Sequence, residues 1–409
     1  MHPRILPFFL LALAASPALA LTLSEIAPRV RNHHPQLLAA RMAVEEARGR
    51  QLGAGRLPNP SLGYEFQNES RVSPRSSTFS LDQAFPITRR LSLEKQLSAQ
   101  LVTAAELEVQ DVERRLIAEA RSLAVRLLAL EKQLTLRQQQ TRLAEELSSF
   151  TKTRAEAGEL SPLDASQAQV DAQRLLLESR RIEIESLSLQ GSLKPMLGLS
   201  PAQPLNLTGD LPALTLPAKS SWQKRADYQL AQALTQAAQT EASLAHARRY
   251  QDVSAGFFAA REQQDITSTR TERTGFVGFR FSIPLPFWNR NQGEIAEKNA
   301  SIQRARLEAE ALGSQITSEA DTARREMEAN ASLVSETRDK LLPLVKEQTD
   351  KLEAAYQVGQ SDLLTLLRAR DQRLQLEAAA LDATRDFHLA RIRYEAAVGA
   401  GSEVHSPNK

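Results

Sequence analysis

Cysteine is absent from the 409 residues. That excludes disulfide cross-links, thiolate metal sites and a lipid anchor on a first-residue cysteine. After residue 20 there is no run of 18 or more apolar residues, so no helix can span a bilayer. Excess charge of one sign is also missing: 51 Lys and Arg stand against 49 Asp and Glu. A nucleic-acid partner, which needs clustered basic charge, is therefore not expected. No Ser/His/Asp grouping, phosphate-cradling glycine loop or paired-carboxylate motif is present, so no catalytic residues and no enzyme are expected. Histidine is sparse. His33 and His34 adjoin but point to different helix faces, while His246, His388 and His405 are isolated, so neither a metal site nor a cofactor is expected. Glycine and proline are both missing from Thr88 to about Lys152.

Met1 to Ala20 reads as a secretory signal: Arg4, an apolar run from Ile5 to Ala15, and the small-residue exit Ala18–Leu19–Ala20. An exported chain without a helical span is periplasmic, secreted, or held in an outer membrane by strands.

The stretch Pro284 to Ala300, PLPFWNRNQGEIAEKNA, joins two kinds of periodicity. Before it, Val277, Phe279, Phe281, Ile283 and Leu285 alternate with Gly278, Arg280, Ser282 and Pro284, the pattern of a strand with one apolar face. After Asn289–Arg290–Asn291–Gln292–Gly293 the period becomes helical for about sixty residues. The same join occurs earlier, with Phe85–Pro86 against Leu285–Pro286 and Arg90 against Arg290 at an offset of 200.

In chain order the reading is a first repeat over 21–198, a linker rich in proline and leucine over 199–217, a second repeat over 218–399, and a flexible tail over 400–409. Each repeat runs helix, β-hairpin, long helix, helix. The first has a hairpin at about 61–86, a long helix at about 88–152 and a helix at about 163–197. The second has them at about 252–286, 293–355 and 361–398. Anchors at nearly one offset support the duplication: Val358–Gly359–Gln360–Ser361 matches Ala157–Gly158–Glu159–Leu160 at 201. In the first long helix Val112, Leu116, Ala120, Leu123, Leu127 and Leu130 recur at steps of three and four, a seam for a neighbouring helix. A rod of some 63 residues is ~95 Å long. The two short helices of each repeat together match its long one, which predicts a wall of antiparallel coiled coils. Pro343 lies inside the second long helix and is expected to bend it.

Four strands of about ten residues have the length that crosses a bilayer when tilted. Four cannot close a barrel, and lipid tolerates no open edge. Three copies would supply twelve strands, an even number within the range of such barrels. The alternative is a soluble four-stranded sheet packed on helices. Phe257, Phe258, Phe276, Phe279, Phe281, Phe287 and Trp288 gather around the second hairpin and read as an interfacial girdle.

The signal, the duplicated helix–hairpin–helix–helix order and the LPFWNRNQGEI stretch together resemble the TolC-type outer-membrane efflux channel family. Pro58–Asn59–Pro60 and the junction Asn289–Arg290–Asn291–Gln292–Gly293 particularly resemble the outer-membrane subunits of heavy-metal (cobalt–zinc–cadmium type) RND exporters. The resemblance implies a mainly α fold with a small β part: an α-barrel of long coiled-coil helices and four transmembrane strands per chain, closing as a twelve-stranded barrel in a homotrimer. It implies a passive duct for heavy-metal cations, partnered by a periplasmic adaptor (membrane fusion) protein, an inner-membrane RND-type pump and outer-membrane lipid. Many relatives carry a lipidated first cysteine; this chain does not, so anchoring is expected to rest on the barrel. The turns Gly158, Glu159, Leu160, Ser161 and Val358, Gly359, Gln360, Ser361 match the family's adaptor-contacting helix tips. Asp164, Asp171, Asp362 and Asp371 follow as candidates for lining the periplasmic entrance. Thr365 and Arg368 stand where the best-known drug exporter of the family has acidic residues, which counts against a cation-binding acidic ring there. Export of drugs or polypeptides on the same fold, a periplasmic adaptor, and a structural coiled coil stay open as alternatives.

Overall fold

A computed structural model describes residues 19–68, 75–267 and 270–400. Residues 1–18 of the expected signal, most of the expected tail, and part of both expected hairpin tips lie outside the described residues. The chain divides into two compact units. One comprises residues 1–38, 112–222 and 316–409; the other comprises 39–111 and 223–315.

The sheet lies in the second unit. Strands β2 (Ser61–Asn68), β3 (Arg75–Phe85), β5 (Val253–Thr267) and β6 (Arg270–Ser282) pair antiparallel in the order β2-β3-β5-β6. Cross-strand register assembles the apolar residues into rows. Leu62, Leu81, Phe257 and Phe279 form one, and Tyr64, Phe79, Ala259 and Val277 the next. The large side chains of these rows are solvent-exposed. The opposite face pairs Ser61, Asp82, Gly256 and Arg280, then Gly63, Ser80, Phe258 and Gly278. A Cβ on Gly278 would lie 2.6 Å from the Phe258 ring, so glycine makes room for the neighbouring side chain. Phe258 and Phe276 thus stand on the polar face, with ring centroids 6.4 Å apart and Arg280 over Phe258. The expected aromatic girdle therefore divides between two faces, because adjacent strand residues point oppositely.

Helices of this unit pair antiparallel. The later part of α2 (Pro35–Gly53) joins the start of α3 (Arg90–Glu156) through Arg48–Glu106 at 2.9 Å. Helix α5 (Ala226–Ala247) joins the start of α6 (Gln292–Ser335) through Lys298–Glu241 at 2.9 Å.

In the other unit β1 (Leu19–Leu21) precedes α1 (Ile26–His33) and pairs parallel with β4 (Leu205–Leu207). The opening helix of the first repeat is broken between α1 and α2 (Pro35–Gly53). His34 is extended (φ −71, ψ 119) because Pro35 disfavours a helical residue before it. Helix α3 is continuous for 67 residues, as its lack of glycine and proline allows. Its residues Val112, Leu116, Ile117, Ala120, Ala124, Leu127 and Leu128 are buried.

Helix α4 (Pro162–Met196) packs on α3 through Arg137–Glu178 at 3.1 Å and Thr141–Ser179 at 3.3 Å. The second long helix is interrupted. A π-helical turn over Glu336–Leu341 separates α6 from α7 (Leu342–Gln357). The Leu342 N–H bonds to the Thr337 carbonyl five residues back, widening the turn just where the Pro343 ring would meet the Asp339 carbonyl. Helix α8 (Leu363–Val398) contributes Phe387, Ala390, Tyr394 and Val398 to a core with Ala323 and Met327 of α6.

Candidate functional site

The two helix reversals share one design. After α3, Gly158 takes φ +76; its N–H bonds the Ala155 carbonyl and the Glu159 N–H bonds the Arg154 carbonyl at 2.8 Å. After α7, Gly359 takes φ +75, and the Gln360 N–H bonds the Ala355 carbonyl at 2.8 Å. These are left-handed glycine C-caps that satisfy the last carbonyls of a helix. The next helix is then capped. The Ser161 hydroxyl accepts from the Leu163 N–H at 3.2 Å, and the Asp362 carboxylate accepts from the Thr365 N–H at 2.8 Å and from its hydroxyl at 2.7 Å. Those bonds hold the Asp362 carboxyl below the usual range. Glu159 pairs with Arg154 at 3.6 Å.

Of the four aspartates expected at the entrance, the structure joins two. The Arg174 guanidinium lies 2.9 Å from Asp171 on its own helix and 3.2 Å from Asp371 on α8. A groove of about 360 Å³ between α4 and α8 is lined by Val170, Asp171, Arg174, Leu364, Arg368 and Asp371. Asp164 stands apart, near Tyr356. The Tyr356 side chain packs with Ala168, Leu363 and Leu366, and burial followed by the Asp164 charge pushes its phenol up. Nothing in the sequence pattern singled out Arg174 or Tyr356. Arg174 did carry a signal, three residues after Asp171 on one helix face. His33 ends α1 and His34 caps it; the His34 ring accepts from the Gln36 N–H, and burial lowers its pKa.

The strand-to-helix junction explains the Asn289–Gly293 motif. Asn291 is the one non-glycine residue with positive φ (62) among the described residues, a conformation asparagine tolerates. The Asn289 side chain accepts from the Asn291 N–H at 2.9 Å, and Gln292 accepts from the Arg290 N–H at 3.0 Å. The Asn291 amide donates to the Ala245 carbonyl at 3.0 Å and to Glu294 at 2.6 Å, tying the start of α6 to the end of α5. Gly293 has open space around it. At the matching point of the first repeat, Arg90 bridges Glu94 at 3.1 Å and Asp252 at 2.5 Å.

No family model matches the chain. Its sequence is 22% identical over 368 residues to the cobalt-zinc-cadmium resistance protein CzcC of Cupriavidus metallidurans, covering 89% of this chain and 83% of that one. A solved structure of CusC, described for its transmembrane channel formation, superposes with a TM-score of 0.77 at 17% identity, covering 92% of this chain and 91% of that one. The Campylobacter jejuni CmeC outer membrane channel superposes with a TM-score of 0.78 at 13% identity, covering 94% and 87%. These relatives are channels and resistance proteins, not enzymes. The chain has the fold of outer-membrane channels along about nine-tenths of its length, and its resemblance to the TolC-type efflux channels, with a cobalt–zinc–cadmium resistance protein among its relatives, holds.

Proposed function

We propose that the chain is the outer-membrane channel subunit of a tripartite efflux system, a passive duct from periplasm to exterior whose cargo is heavy-metal cations. One observation carries the reading. The sheet β2-β3-β5-β6 turns rows of bare apolar side chains outward and leaves β2 and β6 each with an unpaired edge. In water both features are costly; in lipid the apolar face is favoured, and the edges demand closure. Edge-to-edge pairing of three copies gives the twelve-stranded barrel. Unpaired apolar surface on α4 supports the same assembly: Leu163, Val170, Leu177 and Ile184 recur every seven residues and are 71%, 66%, 64% and 68% exposed. The metal cargo is supported by the similarity to CzcC.

On this reading the signal directs export, and the barrel holds the protein in the outer membrane. The reversals at Gly158–Ser161 and Val358–Ser361 present exposed backbone to the adaptor hairpins of an RND-type pump complex. Asp164, Asp171 and Asp371 line the entrance, with Asp362 serving as a helix cap. The duct selects little, so cargo choice falls to the pump.

The test has two arms. The mature chain should fractionate with the outer membrane as a trimer whose gel mobility shifts on heating; a detergent-independent soluble monomer would overturn the channel reading. A deletion strain should become sensitive to cobalt, zinc or cadmium; unchanged metal tolerance with new drug sensitivity would keep the channel and overturn the cargo.

A further inference from the structure

Beside the Asn289–Gly293 junction lies a cavity of about 410 Å³, lined in part by Arg249, Gln251, Leu285, Pro286, Trp288 and Asn289. Its charges do not cancel. Glu294, the carboxylate on its wall, lies 3.3 Å from Arg248 and takes the Asn291 amide at 2.6 Å, and Arg248 also reaches Glu94 at 3.9 Å. Among the described residues Arg249 has no carboxylate partner: its Nε is enclosed without a hydrogen bond, and its guanidinium stands 5.7 Å from the Tyr250 ring. The cavity therefore carries one uncompensated guanidinium, the group best suited to a phosphate.

Its outer rim is apolar and open. Trp288 is 91% exposed, and Leu285, Phe287 and Ile283 are exposed beside it. This strip continues the apolar residues of β6, Phe281 and Phe279. A ligand meeting both parts has one anionic head and a long apolar body. A tryptophan with an indole N–H and a large apolar ring suits the boundary between them. We propose that this cavity binds the phosphate of an anionic phospholipid at Arg249, with an acyl chain laid along Leu285, Phe287 and Trp288. The inference rests on the reading that the sheet stands in a bilayer, and it places the headgroup level at the strand-to-helix junction.

The experiment uses the purified mature protein, as wild type, Arg249→Gln, Arg249→Lys and the control Arg325→Gln, an exposed arginine of α6. Each is loaded with phosphatidylglycerol in mild detergent and examined by native mass spectrometry. Wild type and Arg325→Gln should retain one phosphatidylglycerol per chain. Arg249→Gln should lower its apparent affinity at least tenfold, and Arg249→Lys should recover part of the loss. Equal retention by wild type and Arg249→Gln would overturn the site. Displacement of the lipid by millimolar inorganic phosphate would overturn it too, since the cavity would then recognise a free anion. Insertion of both proteins into phosphatidylcholine vesicles, read by protease protection, separates this from the parent reading. Insertion with no Arg249 effect sinks the site alone; failure of both to insert sinks the membrane reading and the site with it.

Discussion

Helices α4 and α8 hold the same place in the two repeats, 201 residues apart, yet they use their faces differently. Against Leu163, Val170, Leu177 and Ile184 of α4 stand Leu364, Asp371, Ala378 and Arg385 of α8. Against Leu187, 67% exposed, stands His388, 3% exposed. Both helices reach a shared core: Ala172 and Leu175 meet Leu374 and Ala144, and Ala168 meets Leu363 and Leu366. Helix α8 goes on to bury Phe387, Ala390 and Tyr394 against α6, whereas α4 leaves an apolar stripe bare. Duplication thus repeated the backbone plan while assigning the apolar surface anew. A stripe that returns every seven residues fits a supercoiled partner helix, since a straight helix drifts about 20° per heptad. In the proposed assembly that partner is another copy.

The largest effect should come from charging this stripe. Burying a valine or leucine is worth about 1.5–3 kcal/mol, and a carboxylate in its place costs more. Val170→Asp with Leu177→Asp should weaken assembly by more than about 3 kcal/mol, roughly 100-fold. Sedimentation in detergent should then find monomers with unchanged helical circular dichroism. An intact trimer would mean that the stripe does not face another copy, and the contrast with α8 would lose its meaning.

The next effect belongs to His388. Burial is the main cause that lowers its pKa from 6.5 to about 4; Arg391 adds to the shift, while the Pro212 carbonyl and Glu395 oppose it. Among the described residues its Nε2 has no hydrogen-bond partner. The unfolded chain takes up the proton near pH 6.5 and the folded chain only near 4. Stability is therefore complete above pH 6.5 and falls as the pH drops towards 4, by roughly 3 kcal/mol at most. His388→Leu, which gives α8 the residue found at Leu187 of α4, should flatten that part of the pH dependence of thermal unfolding. An unchanged slope would show that His388 is protonated at little cost.

Smaller still are the effects at the reversals. A Cβ on Gly158 or Gly359 would meet nothing within 4 Å, so alanine there should cost only the left-handed backbone penalty, about 1 kcal/mol at each. Gly198 has a similar φ (67), but its Cβ would come within 2.7 Å of the His33 Cβ. Gly198→Ala should therefore cost about 2–3 kcal/mol, strain being added to crowding. Thermal unfolding of the three variants ranks them, and equal losses would break the distinction between open tips and packed caps.

Much of this was legible in the chain because it is periodic. The α3 seam, the alternation of Val277, Phe279 and Phe281, and the tip glycines are local signals that tertiary contacts did not override. Asp362 also carried its own evidence, an N-cap residue before a helical run, although the sequence reading placed it at the entrance. The break at His34–Pro35 follows from the rule for residues before proline, a local signal that the reading of one opening helix passed over. The girdle was misjudged at Phe257–Phe258, where neighbours in a strand must part. The burial of His388 and the reach of Arg174 to Asp371 depend on residues far away in sequence, so no local pattern reports them.

The smallest effect tests whether the two helices are coupled where their surfaces differ most. Val170 of α4 has Asp371 as its counterpart on α8, and Arg174, one turn beyond Val170, reaches that aspartate at 3.2 Å. The two side chains are 48% and 39% exposed in the single chain, so solvent screens the pair. A double-mutant cycle with Arg174→Ala and Asp371→Ala should then give a coupling of about 0.2–1 kcal/mol that shrinks as salt rises from 0.01 to 1 M. The groove they line stands beside the bare Val170 stripe. If neighbouring copies cover that stripe closely enough to exclude water, the coupling in the assembled protein should exceed its value in the Leu177→Asp background. Equal values in both states would place the ion pair outside the contact and confine the interface to the apolar residues themselves.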